Sequence, residues 1–320
     1  MTTVYKRFIG VDVASRKLDL FDSVAKVHQT IDNTPEAINA WIKLLRRKRA
    51  KTIVVMEATG GYESNLVDAL HEADTDCCVC NPAQVRSFAK GIGLIEKNDP
   101  IDARMIARFG EVVTPKLREK PSPEERKLKA LVHRRDQILS QQSAERNRLA
   151  QARDEEVREV IQEALDFYKR QIAGIEKKIA ALIDASQPLS ERAALLASCP
   201  GVGTATVAMF LAELPELGSL NRGQIAKLVG VAPIVRDSGQ KEGKRSTFAG
   251  RSLVRKVLYM AALVATRHNS IMKAFYQRLL AKGKPPKVAI VAVMRKLLVT
   301  LNVMVREGTP WRESTLAPAG

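Results

Sequence analysis

The chain has 320 residues and 35.3 kDa, room for two or three modules, and its 45% hydrophobic and 27% charged residues are those of an ordinary globular protein. Its 52 Lys and Arg outweigh 35 Asp and Glu, giving a net charge of +17 and a pI near 9.9, which points to a polyanionic partner: nucleic acid or an anionic membrane surface. The strongly apolar stretch from Val257 to Thr266 falls short of the roughly 18–20 residues that span a bilayer, and the first residues lack the apolar core of a signal peptide. Nucleic acid is therefore the expected partner, no membrane is expected, and the cytoplasm is the expected location.

Cys77, Cys78 and Cys80 crowd one apolar run and Cys199 stands apart. That spacing fits neither a zinc pair-of-pairs nor a disulfide framework, and reads as buried reduced thiols. The basic surplus is uneven. Residues 1–120 carry 19 basic and 16 acidic side chains, residues 121–187 carry 13 and 12, and residues 188–320 carry 20 and 7. The polyanion-binding surface should lie mainly in the last third.

In chain order, the first 120 residues alternate strands and helices. Arg7 to Phe21 and Ala25 to Ile31 read as a hairpin of two strands, and residues 34–49 as a helix capped by Thr34 with Pro35 at its first position. Strands follow at 52–57 and 76–80 and helices at 63–73 and 83–90, an α/β sheet with an antiparallel edge. Residues 124–187 contain no proline and only Gly174. There Ile161, Leu165, Tyr168, Ile172, Ile175, Ile179 and Leu182 follow a heptad seam, whose narrowness favours a coiled coil that makes 121–187 a linker and dimerisation segment over one arm of an intramolecular helical hairpin. Helices with glycine-rich joints are expected at 189–198, 203–214, 222–228, 252–267 and 287–306. The expected division is thus 1–120, 121–187 and 188–320.

Four acids fall where a metal site would need them. Asp12 interrupts the apolar strand Ile9-Gly10-Val11-Asp12-Val13, a costly place for a carboxylate without a partner or cation. Glu57 ends the strand Ile53-Val54-Val55-Met56, at the carboxyl edge where open α/β sheets place their sites. Asp99 and Asp102 open a helix on one face. Together they could hold Mg²⁺ through hard oxygens for phosphodiester chemistry, although Asp99 and Asp102 also suit a helix cap and Glu57 a strand end.

In the last third, Pro200-Gly201-Val202-Gly203 between two helices matches a helix-hairpin-helix. Its turn at Gly201 and Gly203 would offer backbone N–H groups to a DNA phosphate; a tight helical corner is the simpler alternative. The polar loop from Val235 to Ser246 and the helix opening after Gly250 place Lys241, Lys244, Arg245, Arg251, Arg255 and Lys256 as phosphate contacts. Residues 43–51 form a second basic run, read as a solvated helix end.

These motifs, in this order, resemble the DEDD-type insertion-sequence transposases, related to Piv-type DNA invertases and to bridge-RNA-guided recombinases. The resemblance is carried by Ile9-Gly10-Val11-Asp12, Met56-Glu57-Ala58-Thr59-Gly60, Asn81-Pro82, Lys97-Asn98-Asp99-Pro100-Ile101-Asp102-Ala103-Arg104 and Pro200-Gly201-Val202-Gly203. It continues through Pro233-Ile234-Val235-Arg236-Asp237-Ser238-Gly239, Gly250 to Tyr259 and Lys284-Pro285-Pro286-Lys287. The resemblance implies a RuvC-like (RNase H-like) N-terminal domain whose quartet Asp12, Glu57, Asp99 and Asp102 is catalytic and holds Mg²⁺. It also implies a mostly helical C-terminal transposase domain in which Ser238 attacks a DNA phosphate to form a phosphoserine link. The implied partners are donor and target DNA, a structured guide (bridge) RNA and further copies of the chain, as a dimer or tetramer, in a nucleoid-associated prokaryotic protein. Two alternatives stand beside it: a Mg²⁺-dependent junction-resolving nuclease in which Ser238 is a loop residue, and an RNA- and DNA-binding scaffold without chemistry.

Overall fold

A computed structural model describes residues 5–47, 50–93, 99–113, 117, 120–233, 247 and 250–313, which fall into two compact units, 1–120 and 121–320. In the first unit five strands, β1 (Arg7–Val13), β2 (Lys17–Asp22), β3 (His28–Asp32), β4 (Thr52–Glu57) and β5 (Cys77–Cys80), form one sheet in the order β3-β2-β1-β4-β5. The first three run antiparallel and β4 and β5 run parallel to β1, the RuvC-like (RNase H-like) arrangement. Where two strands are expected before residue 32, three form. Ala14 N–H reaches Lys17 O at 2.9 Å, a tight turn that cuts the long first segment in two.

Alternation decides which side chains each face buries. Ile9, Val11, Leu18, Leu20, Val54 and Met56 point to one layer, made of α1 (Pro35–Arg46) and α2 (Ser64–Glu72). Helix α1 presents Ile38, Trp41, Ile42 and Leu45 at helical spacing, and the Thr34 hydroxyl accepts from Ala37 N–H at 3.4 Å as its cap. The opposite face, with Phe8, Ile53, Val55, Cys78 and Cys80, is covered by α3 (Pro82–Gly91) and α4 (Asp99–Val113) through Val85, Met105, Ile106 and Phe109. The four cysteines are buried free thiols.

A buried ion pair fixes the sheet's other end. Arg7 donates to Asp22 Oδ2 from Nε at 3.1 Å and Nη2 at 2.6 Å, while Asp22 Oδ1 accepts from Val24 and Ala25 N–H. Burial would raise the Asp22 pKa, but the guanidinium and the two amides outweigh it and hold the carboxyl at about 2. A depressed carboxylate pKa adds stability that is fully present above the unfolded value near 4 and is lost as pH falls through about 2. Asp22→Asn is therefore expected to cost about 2 kcal/mol at neutral pH, with the gap to wild type closing between about pH 4 and pH 2. Urea unfolding across that range checks it; a gap independent of pH would sink the assignment.

The second unit is helical: α5 (Pro123–Gln151), α6 (Glu155–Ala185), α7 (Gln187–Ala197), α8 (Thr204–Glu213), α9 (Arg222–Val229), α10 (Ser252–His268), α11 (Ser270–Ala281) and α12 (Pro286–Glu307). The proline-free segment breaks at Ala152, where Asp154 caps α6 by accepting from Val157 N–H. Helices α5 and α6 fold against each other, tied by Arg135 and Glu176 at 2.6 Å. The heptad seam Ile161, Leu165, Ile172, Ile175 and Ile179 is thus buried as the arm of a helical hairpin within the chain. Helix α11 has no counterpart in the sequence expectation. Helix α12 also corrects the apolar reading, since its apolar stretch is longer than residues 257–266 and reaches the length that could cross a membrane. Half of that stretch is buried, and Ile290, Val293, Leu297, Leu298 and Leu301 enter the unit's core.

Candidate functional site

The acids of the first unit gather at one edge of the sheet because of a close crossing. Helix α4 runs over β1 at Gly10, where a Cβ would stand 2.0 Å from Ala103 O and 2.4 Å from Ala107 N. Only glycine lets the helix backbone descend this far. Asp12 lies two residues along β1 from that crossing, on the same face, and Asp102 directly precedes Ala103. Glu57 ends β4, parallel to β1, with its side chain on that face as well.

Glu57 is half-buried, and its pKa is raised, first by burial and then by the negative charge of Asp12, with a smaller push from Asp102. The Arg86 guanidinium of α3 pulls it back down. Helix α3 begins at this edge because Glu57 pairs with Cys80 and Asn81 caps the helix, accepting from Ala83 N–H at 2.9 Å. The Glu57 carboxyl at the end of β4 thus lies within reach of the charges of Asp12 on β1 and Asp102 on α4. Asp99 opens α4, and its side chain is outside the described set.

Two features of this edge have no place in the sequence reading. Asp19 of β2 lies directly opposite Asp12, almost fully buried, accepting from the Thr30 hydroxyl at 2.5 Å and pairing with Lys17 Nζ at 3.1 Å. The alternation Leu18-Asp19-Leu20 was the available signal, but it requires the β1–β2 register to be useful. Beyond Glu57, the Glu63 carboxylate accepts from Thr59 N–H, Thr59 Oγ1 and Gly61 N–H at 3.0–3.2 Å and locks the following loop. Burial would raise the Glu63 pKa, but these hydrogen bonds lower it, so the locking group stays ionised.

The donor set is all carboxylate oxygen with mutual repulsion, which suits a hard divalent cation. Among the described residues, no three His, Cys, Asp or Glu side chains already stand in ligating positions around one point.

In the second unit, the turn between α7 and α8 carries Gly201 at φ +100°. A Cβ there would sit 2.7 Å from the Cα and Cβ of Ala265, so this glycine serves close packing on α10. Gly203 caps α8 at the surface, leaving that helix N-terminus accessible. Arg251 forms a two-pronged pair with Glu216, at 2.6 and 2.5 Å, and Lys256 pairs with Asp136 at 2.9 Å. Both read as phosphate contacts from the sequence, and each has a carboxylate partner within the chain. Arg255 also has partners within the chain. Ser238, Lys241, Lys244 and Arg245 lie outside the described residues. Among the described residues that flank them, Arg251 N–H donates to Leu228 O at 3.0 Å, and Gly250 packs on the backbone of Gly230.

The first unit is thus a mixed sheet with acids at the carboxyl edge of its central strands, and a basic helical unit follows it in the chain. Residues 9–155 match the DEDD transposase family of IS110 type, and residues 193–277 match the transposase family IS116/IS110/IS902. This chain belongs to the IS110-type transposases and is a DNA transposase or recombinase. It is 29% identical to the pilin gene-inverting protein of Moraxella bovis over 319 residues, covering 96% of this chain and 98% of that protein. It is 32% identical to the insertion element IS900 42 kDa protein of Mycobacterium paratuberculosis over 40% of this chain and 33% of that one. Among solved structures, T. thermophilus RuvC in complex with Holliday junction substrate aligns with TM-score 0.27 and 18% identity, over 35% of this chain and 99% of that chain.

Proposed function

We propose that this chain recombines the DNA of an insertion element through a covalent phosphoserine at Ser238, with Asp12, Glu57, Asp99 and Asp102 holding Mg²⁺. The observation that carries the acid half is the convergence of Asp12, Glu57 and Asp102 on one sheet edge, with the Glu57 carboxyl pushed up by burial and by its neighbours. Bound Mg²⁺ would supply charge stabilisation at a reacting phosphate. The serine half rests on the family resemblance at Ser238-Gly239.

In that reaction the Ser238 Oγ forms a bond to phosphorus, the P–O3′ bond breaks, and the serine proton ends on the departing 3′-oxygen. A 3′-hydroxyl of the other DNA then attacks the phosphoserine, and Oγ leaves with a proton restored. One phosphodiester-type bond is kept at each stage, so no nucleotide cofactor is consumed. Arg86, exposed beside Glu57, is placed to neutralise phosphate charge at the same edge.

We place donor and target DNA as substrates and a structured RNA as the guide. The surplus of 20 basic over 7 acidic residues in the last third supports backbone-directed binding of either nucleic acid. The exposed start of α8 at Gly203 suits a phosphate. Self-association is supported by Val157, Val160 and Phe167, which stay exposed along α6 after its seam has been buried. Because the acids gather without any residue from the second unit, a metal-dependent nuclease remains the second reading.

Ser238→Ala separates the two. The recombinase reading expects a denaturation-resistant protein–DNA adduct with Mg²⁺, RNA and both DNAs, lost completely in Ser238→Ala. Strand cutting that persists in Ser238→Ala without an adduct would transfer the assignment to the nuclease.

A further inference from the structure

Between Glu242 and Glu307 lie 64 residues with no acidic side chain and 14 Lys and Arg. The first part of this stretch is neutralised from elsewhere, since Arg251 takes Glu216 and Lys256 takes Asp136. In the later part, α12 ends on a pair of Arg306 with Glu307 at 3.3 Å, but its middle and α11 show no such pair among the described residues. Arg278 of α11 and Lys296 of α12 both lie against the ring of Phe275, at 5.4 and 4.8 Å from its centroid. Among the described residues neither cation has a carboxylate partner.

Two cations converging on one ring is an unfavourable arrangement that the ring quadrupole only partly offsets. Lys296 is half-buried, and its pKa is lowered by that burial and then by the charge of Arg278. The helices meeting here are firmly placed, because α12 is a core helix and α11 packs along it. The Arg278 side chain is exposed, so this pair of cations is open to a ligand from solvent.

One turn beyond Arg278 stands exposed Lys282, and the connection to α12 adds exposed Lys284 and Lys287. From Phe275 to Lys282 is about 10 Å along the helix, enough for consecutive backbone phosphates of one strand. Gly283 at φ +73° turns the chain there, and Lys284 N–H closes on Leu279 O at 3.1 Å, so the lysines flank a defined turn.

We propose that the α11–α12 hairpin is a nucleic-acid backbone site, in which Arg278 and Lys296, set by Phe275, bind one phosphate and Lys282, Lys284 and Lys287 continue the track. This deepens the recombinase reading by placing a contact surface outside the Ser238 loop and the α7–α8 turn. It rests on that reading only in taking nucleic acid as the ligand.

The test uses the full chain and fluorescence anisotropy with two probes, a mixed-sequence duplex DNA of about 30 base pairs and an RNA hairpin of similar size, over about 50 to 200 mM salt. In R278Q/K296Q, affinity should fall roughly tenfold near 0.1 M salt, and the log–log salt slope should become shallower by about 1 to 2. The single variant R278Q, at an exposed position, should show about half of that and guards against a folding defect. K177Q/K178Q, which removes two exposed lysines of α6, should bind within about twofold of wild type.

A loss with DNA alone, RNA alone or both supports the site and identifies which strand it tracks. Unchanged affinity and slope in R278Q/K296Q, an equal loss in K177Q/K178Q, or salt-independent binding by wild type would overturn it. The recombinase reading is scored separately by the Ser238 adduct, and its failure would leave the binding result standing.

Discussion

Gly10→Ala is expected to destabilise the N-terminal unit by at least about 3 kcal/mol and to abolish strand cutting in whatever protein remains folded. A single methyl suffices because its neighbours are backbone. The new Cβ would meet Ala103 O at 2.0 Å and Ala107 N at 2.4 Å, with the Ala107 Cβ at 2.9 Å. None of these atoms can change rotamer, so α4 must lift by an ångström or more, loosening Met105, Ile106 and Phe109 from the sheet. The Gly10 backbone is not in the left-handed region, so strain in the strand itself is not the cause. Because Asp102 adjoins Ala103, the same displacement moves the Asp102 carboxylate, one of the four acids proposed to hold Mg²⁺, relative to Asp12 and Glu57. A shift of about 1 Å in catalytic geometry can cost about a hundredfold in rate. Urea unfolding and a cleavage assay on the soluble fraction check both halves. Wild-type stability in Gly10→Ala would show that α4 does not cross β1 as described.

Much of this edge was legible from the sequence, for reasons that differ by residue. Asp12 stood out because a carboxylate in an apolar strand needs a reason, and Glu57 because strand ends in open α/β sheets carry sites. Asp19 was not legible: its alternation with Leu18 and Leu20 looks like any half-exposed strand until the β1–β2 register sets it opposite Asp12. Arg86 was hidden for a similar reason, since its effect on Glu57 depends on β5 delivering α3 to the same edge. In the second unit the local pattern was incomplete. Arg251 and Lys256 look like phosphate ligands in a basic segment, yet their partners Glu216 and Asp136 lie 35 and 120 residues away. The heptad seam on α6 favoured a partner chain on the sequence and is buried against α5 of the same chain, because its period cannot tell a helix of the same chain from one of another. Helix α11 went unseen because its polar start at Asn269 and Ser270 resembles a loop, although the Asn269 side chain caps the helix through Met272 N–H at 3.1 Å.

The carboxylate edge predicts a second large effect, opposite in kind to that of Gly10. Glu57→Gln should keep the shape of the side chain and remove its charge from beside Asp12 and Asp102. A carboxyl whose folded pKa is raised disfavours the folded state once it ionises. The metal-free protein should therefore lose stability as pH rises through the raised Glu57 pKa, and Glu57→Gln should remove that loss. At neutral pH without metal the variant should be as stable as wild type or more so, while its strand cutting falls by about a thousandfold or more. Asp102→Asn should show the same division, because its charge bears on the same carboxyl. Mg²⁺ supplies the linkage test: a ligand that binds only the folded state raises its stability by mass action. Millimolar Mg²⁺ should therefore raise the melting temperature of wild type and have little effect on either variant. If both variants were destabilised while still cutting DNA, these acids would be caps and strand ends, and the catalytic edge would have to be sought elsewhere. If both lose activity and the Mg²⁺ response while keeping their fold, repulsion among the carboxylates is the cost of a site built to receive a cation.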